Sequence, residues 1–157
     1  MLTIRDAISE DAALIRALIQ ELAEYEGEAG HVRTTEADIA RDGFGTNAKF
    51  RTFIAEWGSQ AVGFAVFFPY YSTWRGSGMY LEDLYVRPEF RRRGVGTALM
   101  AKVTRTAREE SCTFVRWAVL DWNKPALNLY ASFGATLLHD WRCVVLDGDW
   151  LDSQAGK

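Results

Sequence analysis

Apolar positions along the chain change period several times, and each change marks an element. Near the start LTIRDA alternates as a β-strand does. From Ser9, a candidate N-cap, Leu14, Ile15, Leu18, Ile19 and Leu22 form one helical stripe. TTEADIARDGFG predicts a short second helix, with a Thr35–Asp38 capping pattern and a glycine stop at Gly43. RTFIAEW and QAVGFAVFF predict strands joined in a hairpin at Gly58-Ser59. YYSTWRGSG reads as a loop and MYLEDLYV as a further strand, ended by Pro88. Val95, Leu99, Val103 and Ala107 then recur every four residues and predict a helix from about Gly94 to Glu110. CTFVRWAVL predicts a strand buried on both faces. Pro125 opens a helix running to Phe133 and stopped by Gly134, and WRCVVL predicts a last strand. The order β-α-α-β-β-β-α-β-α-β predicts an α/β (α+β) domain spanning residues 1–157. Its mixed sheet, flanked by helices, is antiparallel in the first half and joined by parallel crossovers in the second.

The composition is that of an ordinary globular chain: 157 residues, 48% hydrophobic and 25% charged, enough for one core. A net charge of −3 argues against nucleic acid as a partner and suits a cationic substrate. Cys112 and Cys143 sit in apolar runs with no CxxC, so buried reduced thiols in a cytoplasmic protein are expected. With His31 and His139 the only histidines, no metal site is expected. The longest apolar run is too short for a bilayer, and the first residues lack the pattern of a signal peptide, so no membrane partner is expected.

One stretch carries chemistry. In FRRRGVGTAL, Gly94 and Gly96 remove side chains where a strand hands over to a helix. First-turn amides have no intrahelical acceptor and sit at the positive end of the helix dipole. A phosphate or pyrophosphate can approach such a backbone closely. Arg91, Arg92 and Arg93 add charge, and Thr97 a hydroxyl donor. The loop is neither a Walker A sequence nor a complete G-x-G-x-x-G, because position 99 is Leu. Taken alone, it also fits a solvated basic helix start.

In its larger setting the stretch resembles a known family. Arg91-x-x-Gly94-x-Gly96 after a strand is similar to the acetyl-CoA motif of the GCN5-related N-acetyltransferases (GNAT). The resemblance covers nearly the whole chain and is nearest to the diamine (spermidine/spermine) branch and, within it, to the thialysine-acetylating type. It rests on ELAEYE (21–26), DGFG (42–45), VGFAVFFPYYSTW (62–74), YLEDLYVRPEFRRRGVG (80–96) and AVLDWNKPALNLYASFGA (118–135). The resemblance implies that acetyl-CoA is the acyl donor and that parallel strands 79–87 and 112–120 splay apart around its pantetheine arm. The cofactor residues it implies are Leu84, Tyr85 and Val86 along the arm, Arg91, Arg92, Arg93, Gly94, Val95, Gly96 and Thr97 at the pyrophosphate, and Asn123. It also implies a homodimer.

Acetyl transfer needs a neutral amine, and a lysine-like amine ionises near 10.4, so removing its proton at pH 7 is uphill by about 4.6 kcal/mol. A carboxylate can accept that proton. Glu82, one of two acids inside an otherwise core-like strand, is the candidate base, and the resemblance supports it. Neighbours in a regular strand face opposite sides, so Glu82 and Asp83 share a pocket only if a bulge re-aims one of them. The resemblance places Asp83 near the distal cation of the substrate; a surface salt bridge is its plain alternative. It makes Tyr130 the acid that protonates the leaving thiolate, where spacing alone reads as helix packing. It places Tyr25 and Glu26 at the amine site, and Arg116 and Trp117 where backbone touches substrate. Trp74, Trp117 and Trp122 are candidate linings for an aliphatic chain, with plain packing the alternative for each. The polyamine branch carries an acid before this Trp, where this chain has Ser72-Thr73, and hydroxyls suit a shorter, zwitterionic amine. A lysine analogue or small diamine is therefore the expected acceptor. A polyamine, or another amine acceptor such as a protein or an antibiotic, is the alternative.

Overall fold

The computed structural model describes residues 1–155. The chain divides into two compact units, Met1–Ala118 and Val119–Lys157, each described here by itself.

The first unit is a five-stranded sheet in sequential order. Its strands are β1 (Leu2–Asp6), β2 (Arg51–Trp57), β3 (Gln60–Ser72), β4 (Gly76–Val86) and β5 (Phe114–Arg116). The first four pair antiparallel, and β4 pairs parallel with β5. Mixed pairing follows from the connections: β2, β3 and β4 are joined by short turns, whereas β4 and β5 are joined by α3 (Val95–Glu109). The turn at Gly58, with φ 66°, closes the first hairpin as expected. The stretch expected as a loop from Tyr70 to Gly78 is mostly strand, because Tyr70, Tyr71 and Ser72 pair with Gly78, Ser77 and Gly76.

α1 (Ala12–Glu26) and α2 (Glu36–Gly43) cover one face. Leu18 and Leu22 of α1 pack on Phe64, Val66 and Tyr85, and Ile15 packs with Ile39 and Ile54. On the other face Phe53 meets Phe67 with ring centres 4.6 Å apart, and Lys102 of α3 lies over Phe53. α3 buries Val95, Leu99, Val103 and Ala107, the four positions its spacing marked.

Of three helix ends, one departs from the sequence expectation. Ser9 does not cap α1; a 3-10 turn over Ser9–Asp11 intervenes. Asp11 there accepts the Ile8 amide at 2.8 Å and two bonds from Arg5 at 2.6 and 2.8 Å. Thr35 caps α2, as expected, in a box with Asp38. Gly43 ends α2 for a packing reason: a Cβ there would meet the Phe50 ring at 2.8 Å.

In the second unit α4 (Lys124–Ser132) has Pro125 in its first turn and ends before Gly134, as expected. α5 (Gly148–Ala155) follows. Two strand expectations are corrected. CTFVRWAVL is strand only over Phe114–Arg116, which are half-buried and not covered on both faces. WRCVVL is exposed and has no regular structure, because apolar alternation makes a strand only where a partner ladder forms. Accordingly Cys143 is exposed and Cys112 half-buried, where buried thiols were expected. Among the described residues no helix is long and apolar enough to cross a membrane.

Candidate active site

The site begins at a defect in the sheet. Asp83 pairs with Val66 and Leu81 pairs with Phe67, so Glu82 is an extra residue in the ladder. Such a bulge interrupts alternation and turns two successive side chains toward the same region. Val66 belongs to the face under α1, and its partner Asp83 therefore looks toward the end of that helix. The electrostatics agree. Burial, then the negative charges of Glu82 and Glu26, push the Asp83 carboxyl up to about 7. Glu26, in the last turn of α1, is half-buried and is itself raised by burial and by Glu28. Glu82 is exposed. The structure thus brings Glu26, Glu82 and Asp83 within electrostatic reach of one another, a surrounding that favours a bound cation.

Beside them the sheet opens. β4 and β5 pair only from Gly78–Phe114 to Tyr80–Arg116, and β5 offers no ladder to Leu81–Val86. The Arg87 amide bonds Val62 at 2.9 Å across the β3 side. Backbone polarity alternates along an antiparallel ladder, so Leu84 and Val86 present theirs to the opened side. Tyr85 is buried under α1. Gly63 lets β3 approach here: a Cβ on it would lie 2.5 Å from the Tyr85 carbonyl oxygen.

The arginine loop follows. Arg92, at φ 58°, and Gly94, at φ 80°, both adopt the left-handed conformation, which costs a non-glycine residue about 1 kcal/mol or more. Gly94 is the N-cap of α3 with no side-chain cap. Ala98 makes the first bond of the helix, to the Gly94 carbonyl at 2.9 Å, so the amides of Gly94, Val95, Gly96 and Thr97 have no intrahelical acceptor. A left-handed residue followed by a right-handed one gathers successive amides into an anion-binding concavity. Val95 is buried and anchors the turn, while Thr97 is exposed.

The three arginines are not equivalent. Arg92 is exposed. Arg93 lies over Phe90 and Trp57, at 5.4 and 5.8 Å. Arg91 turns inward: its Nε donates to the Val86 carbonyl at 2.8 Å, and its guanidinium lies 4.2 Å from the Tyr25 ring centre and 5.7 Å from that of Tyr85. It binds its own strand and α1.

Other expected residues lie elsewhere. The Ser72 hydroxyl accepts the amides of Trp74 and Arg75 at 3.3 and 3.2 Å, shaping the β3–β4 turn, with Thr73 and Trp74 exposed. Six residues of β3 separate Ser72 from Val66, or about 20 Å, so this turn does not reach the carboxylates of its own chain. Trp117 follows β5 and is half-buried. In the second unit the Asn123 Oδ1 caps α4 by accepting the Ala126 amide at 3.3 Å, and Tyr130 is the buried residue of that helix.

Two features were not singled out from the sequence. Arg87 makes a two-bond ion pair with Glu21, at 2.7 and 3.0 Å, clamping α1 to β4; 66 residues of separation hid it. Beyond the end of α1, Phe68, Tyr70, Tyr80 and Phe114 form a ring-contact series on the same face. The alternation of Phe68 and Tyr70 with Val66 is the signal that could have found it.

The mixed sheet parts beside a glycine-opened helix start suited to an anion and a bulge whose carboxylates suit a cation. The comparisons give the class of protein in which this arrangement sits. A model of the Acetyltransferase (GNAT) family matches residues 13–135, and the chain belongs to this family. It is an N-acetyltransferase, and acetyl-CoA use follows from the family. The chain is 39% identical over 165 residues to the thialysine N-epsilon-acetyltransferase of Bos taurus, covering 98% of this chain and 97% of that one. It is 36% identical over 139 residues to the spermidine/spermine N(1)-acetyltransferase-like protein 1 of Homo sapiens, covering 84% of this chain and 20% of that protein. Its fold is similar to AAC(6')-Iy solved with the bisubstrate analog CoA-S-monomethyl-acetylneamine. That match has a TM-score of 0.76 at 21% identity, over 94% of this chain and 98% of that one.

Proposed function

We propose that this acetyltransferase acts on the side-chain amine of a lysine-like amino acid, with thialysine the best representative. The observation that carries the reading is the Glu82 bulge, which sets Glu82 and Asp83 beside Glu26 at the edge where β4 and β5 part. The relatives named for thialysine over nearly their whole length support the substrate class.

The residues present fit acetyl-CoA. The uncapped amides of Gly94, Val95, Gly96 and Thr97, with Arg92 and Arg93 nearby, suit its pyrophosphate. Leu84 and Val86 offer backbone to a pantetheine arm; the Val86 carbonyl is already held by Arg91, which leaves its amide for that role. The bound donor supplies an activated acetyl thioester. The carboxylates attract the cationic amine and one of them, Glu82 in this reading, takes its proton. Asp83, whose carboxyl is pushed up to about 7, holds a proton near neutral pH more readily than an ordinary aspartate and limits the repulsion among the three acids. Tyr130 donates to the departing sulfur, and Asn123 contacts the donor; these two roles rest on the family resemblance. So do a homodimeric, cytoplasmic enzyme and the placing of Tyr25, Ser72, Thr73, Trp74 and Trp117 around the amine.

A thiol-release assay with acetyl-CoA and thialysine, lysine, putrescine and spermidine tests the reading. The expected order of kcat/KM puts thialysine first. A tenfold or larger preference for spermidine overturns the proposal in favour of a polyamine acceptor, which the cluster of three carboxylates would also attract.

A further inference from the structure

Arg116 is the last residue of β5 and the register partner of Tyr80. Its side chain is held from two sides. The guanidinium lies 5.5 Å from the Tyr70 ring centre and 5.8 Å from that of Phe114, and Nη1 donates to the Tyr70 hydroxyl at 3.2 Å. Tyr70 and Tyr80 rings are 5.9 Å apart, and Phe68 stacks on Tyr80 at 5.3 Å. Phe68 and Tyr70 follow Val66 at alternate positions of β3, so the arginine and its aromatic bed share the sheet face on which Val66 pairs with Asp83. α1 covers this face only as far as Glu26. Arg116 is half-buried, and among the described residues it has no carboxylate partner.

A fixed, weakly hydrated guanidinium without a counter-charge is suited to bind a carboxylate through two parallel bonds. Tyr80 and Asp83 pair with Phe68 and Val66, two residues apart on β3, so the bulge leaves about 7 Å of sheet between them. An extended lysine holds its amine and carboxylate about 7 Å apart by standard bond lengths. A hydrogen bond of about 2.8 Å at each end lets it span that separation.

We infer that Arg116 is a specificity-determining residue that binds the α-carboxylate of the acceptor while its side-chain amine lies at the Glu26–Glu82–Asp83 cluster. The inference rests on the lysine-analogue reading and adds to it a reason for preferring an amino acid over a diamine. A diamine or polyamine brings a second cation toward the arginine and is disfavoured there.

The test compares each amino acid with its decarboxylated counterpart: thialysine with bis(2-aminoethyl) sulfide, and lysine with cadaverine. The wild type is expected to favour the amino acid of each pair. R116M keeps an apolar stem on the aromatic bed, and its ratio of kcat/KM, amino acid over diamine, is expected to fall by about 10- to 100-fold, mainly through KM of the amino acid. R116K keeps the charge but not the planar fork and is expected to fall between the two. Melting temperatures of both variants check that they are folded. A wild type active on these amines, with the ratio unmoved in folded R116M, overturns the inference alone. A wild type inactive on all four overturns the lysine-analogue reading and the inference with it.

Discussion

The Arg91 guanidinium stands 4.2 Å from the ring centre of Tyr25, joining the start of the arginine–glycine loop to the last turn of α1. Because Glu26 is the next residue, the contact ties the glycine loop to the helix end that carries one of the three clustered carboxylates. A double-mutant cycle on Arg91→Gln and Tyr25→Leu, followed by urea denaturation, is expected to show a coupling of about 0.5–2 kcal/mol. Tyr25→Phe keeps the ring and is expected to keep most of the coupling. Additive losses would mean that the contact contributes nothing.

Asp83 makes stability depend on pH in a stated direction. Unfolded, it ionises near the ordinary carboxylate value of about 3.9; folded, its carboxyl is pushed up to about 7. Between these values the folded chain holds a proton that the unfolded chain has lost, so this contribution to stability falls as pH rises from about 4 to about 7. Asp83→Asn removes it. The variant is expected to gain on the wild type, by an amount on the order of a few kcal/mol, when urea midpoints at pH 8 are compared with those at pH 4. Parallel pH profiles for the two proteins would contradict the assignment.

Two glycines are expected to fail in different ways. At Gly63 an added Cβ would strike the Tyr85 carbonyl oxygen at 2.5 Å and crowd the Val86 Cα at 3.2 Å. Neither backbone atom can move without opening the β3–β4 ladder, and Gly63→Ala is expected to cost about 2 kcal/mol or more. At Gly94 nothing lies within 4 Å of an added Cβ, but φ is 80°. Gly94→Ala is expected to cost about 1 kcal/mol of strain and, in addition, to raise KM for acetyl-CoA. Thermal melts and donor titrations separate the two; a melt of Gly63→Ala matching the wild type would contradict the packing argument.

Tyr130→Phe preserves the ring of a buried residue and removes only the hydroxyl. The expected result is a kcat lower by about 10²–10⁴-fold with a little-changed melting temperature. A kcat equal to the wild type would remove Tyr130 from the mechanism.

Local rules were enough to read several elements directly from the residues. Val95, Leu99, Val103 and Ala107 mark the buried stripe of α3 because a helix repeats every 3.6 residues. Thr35 and Asp38 mark the start of α2, and Gly58 the first hairpin, because caps and turns are made by neighbours in the chain. The glycine loop and the acid pair were legible for the same reason, as residue types at fixed short spacing. The bulge was legible only as a condition: whether Glu82 and Asp83 share a region depends on how β4 registers against β3, which no local pattern states. Partners distant in sequence settled the remainder. Arg91 met Tyr25 across 66 residues, and Arg87 met Glu21 across the same gap. Tyr70 and Phe114 brought Arg116 onto the face of Asp83. WRCVVL has the alternation of a strand and no ladder to complete it, since a strand is a property of two segments. The order of polar and apolar residues thus determined the elements and the chemistry available to them, while the pairing of segments far apart in the chain decided which of those groups face one another.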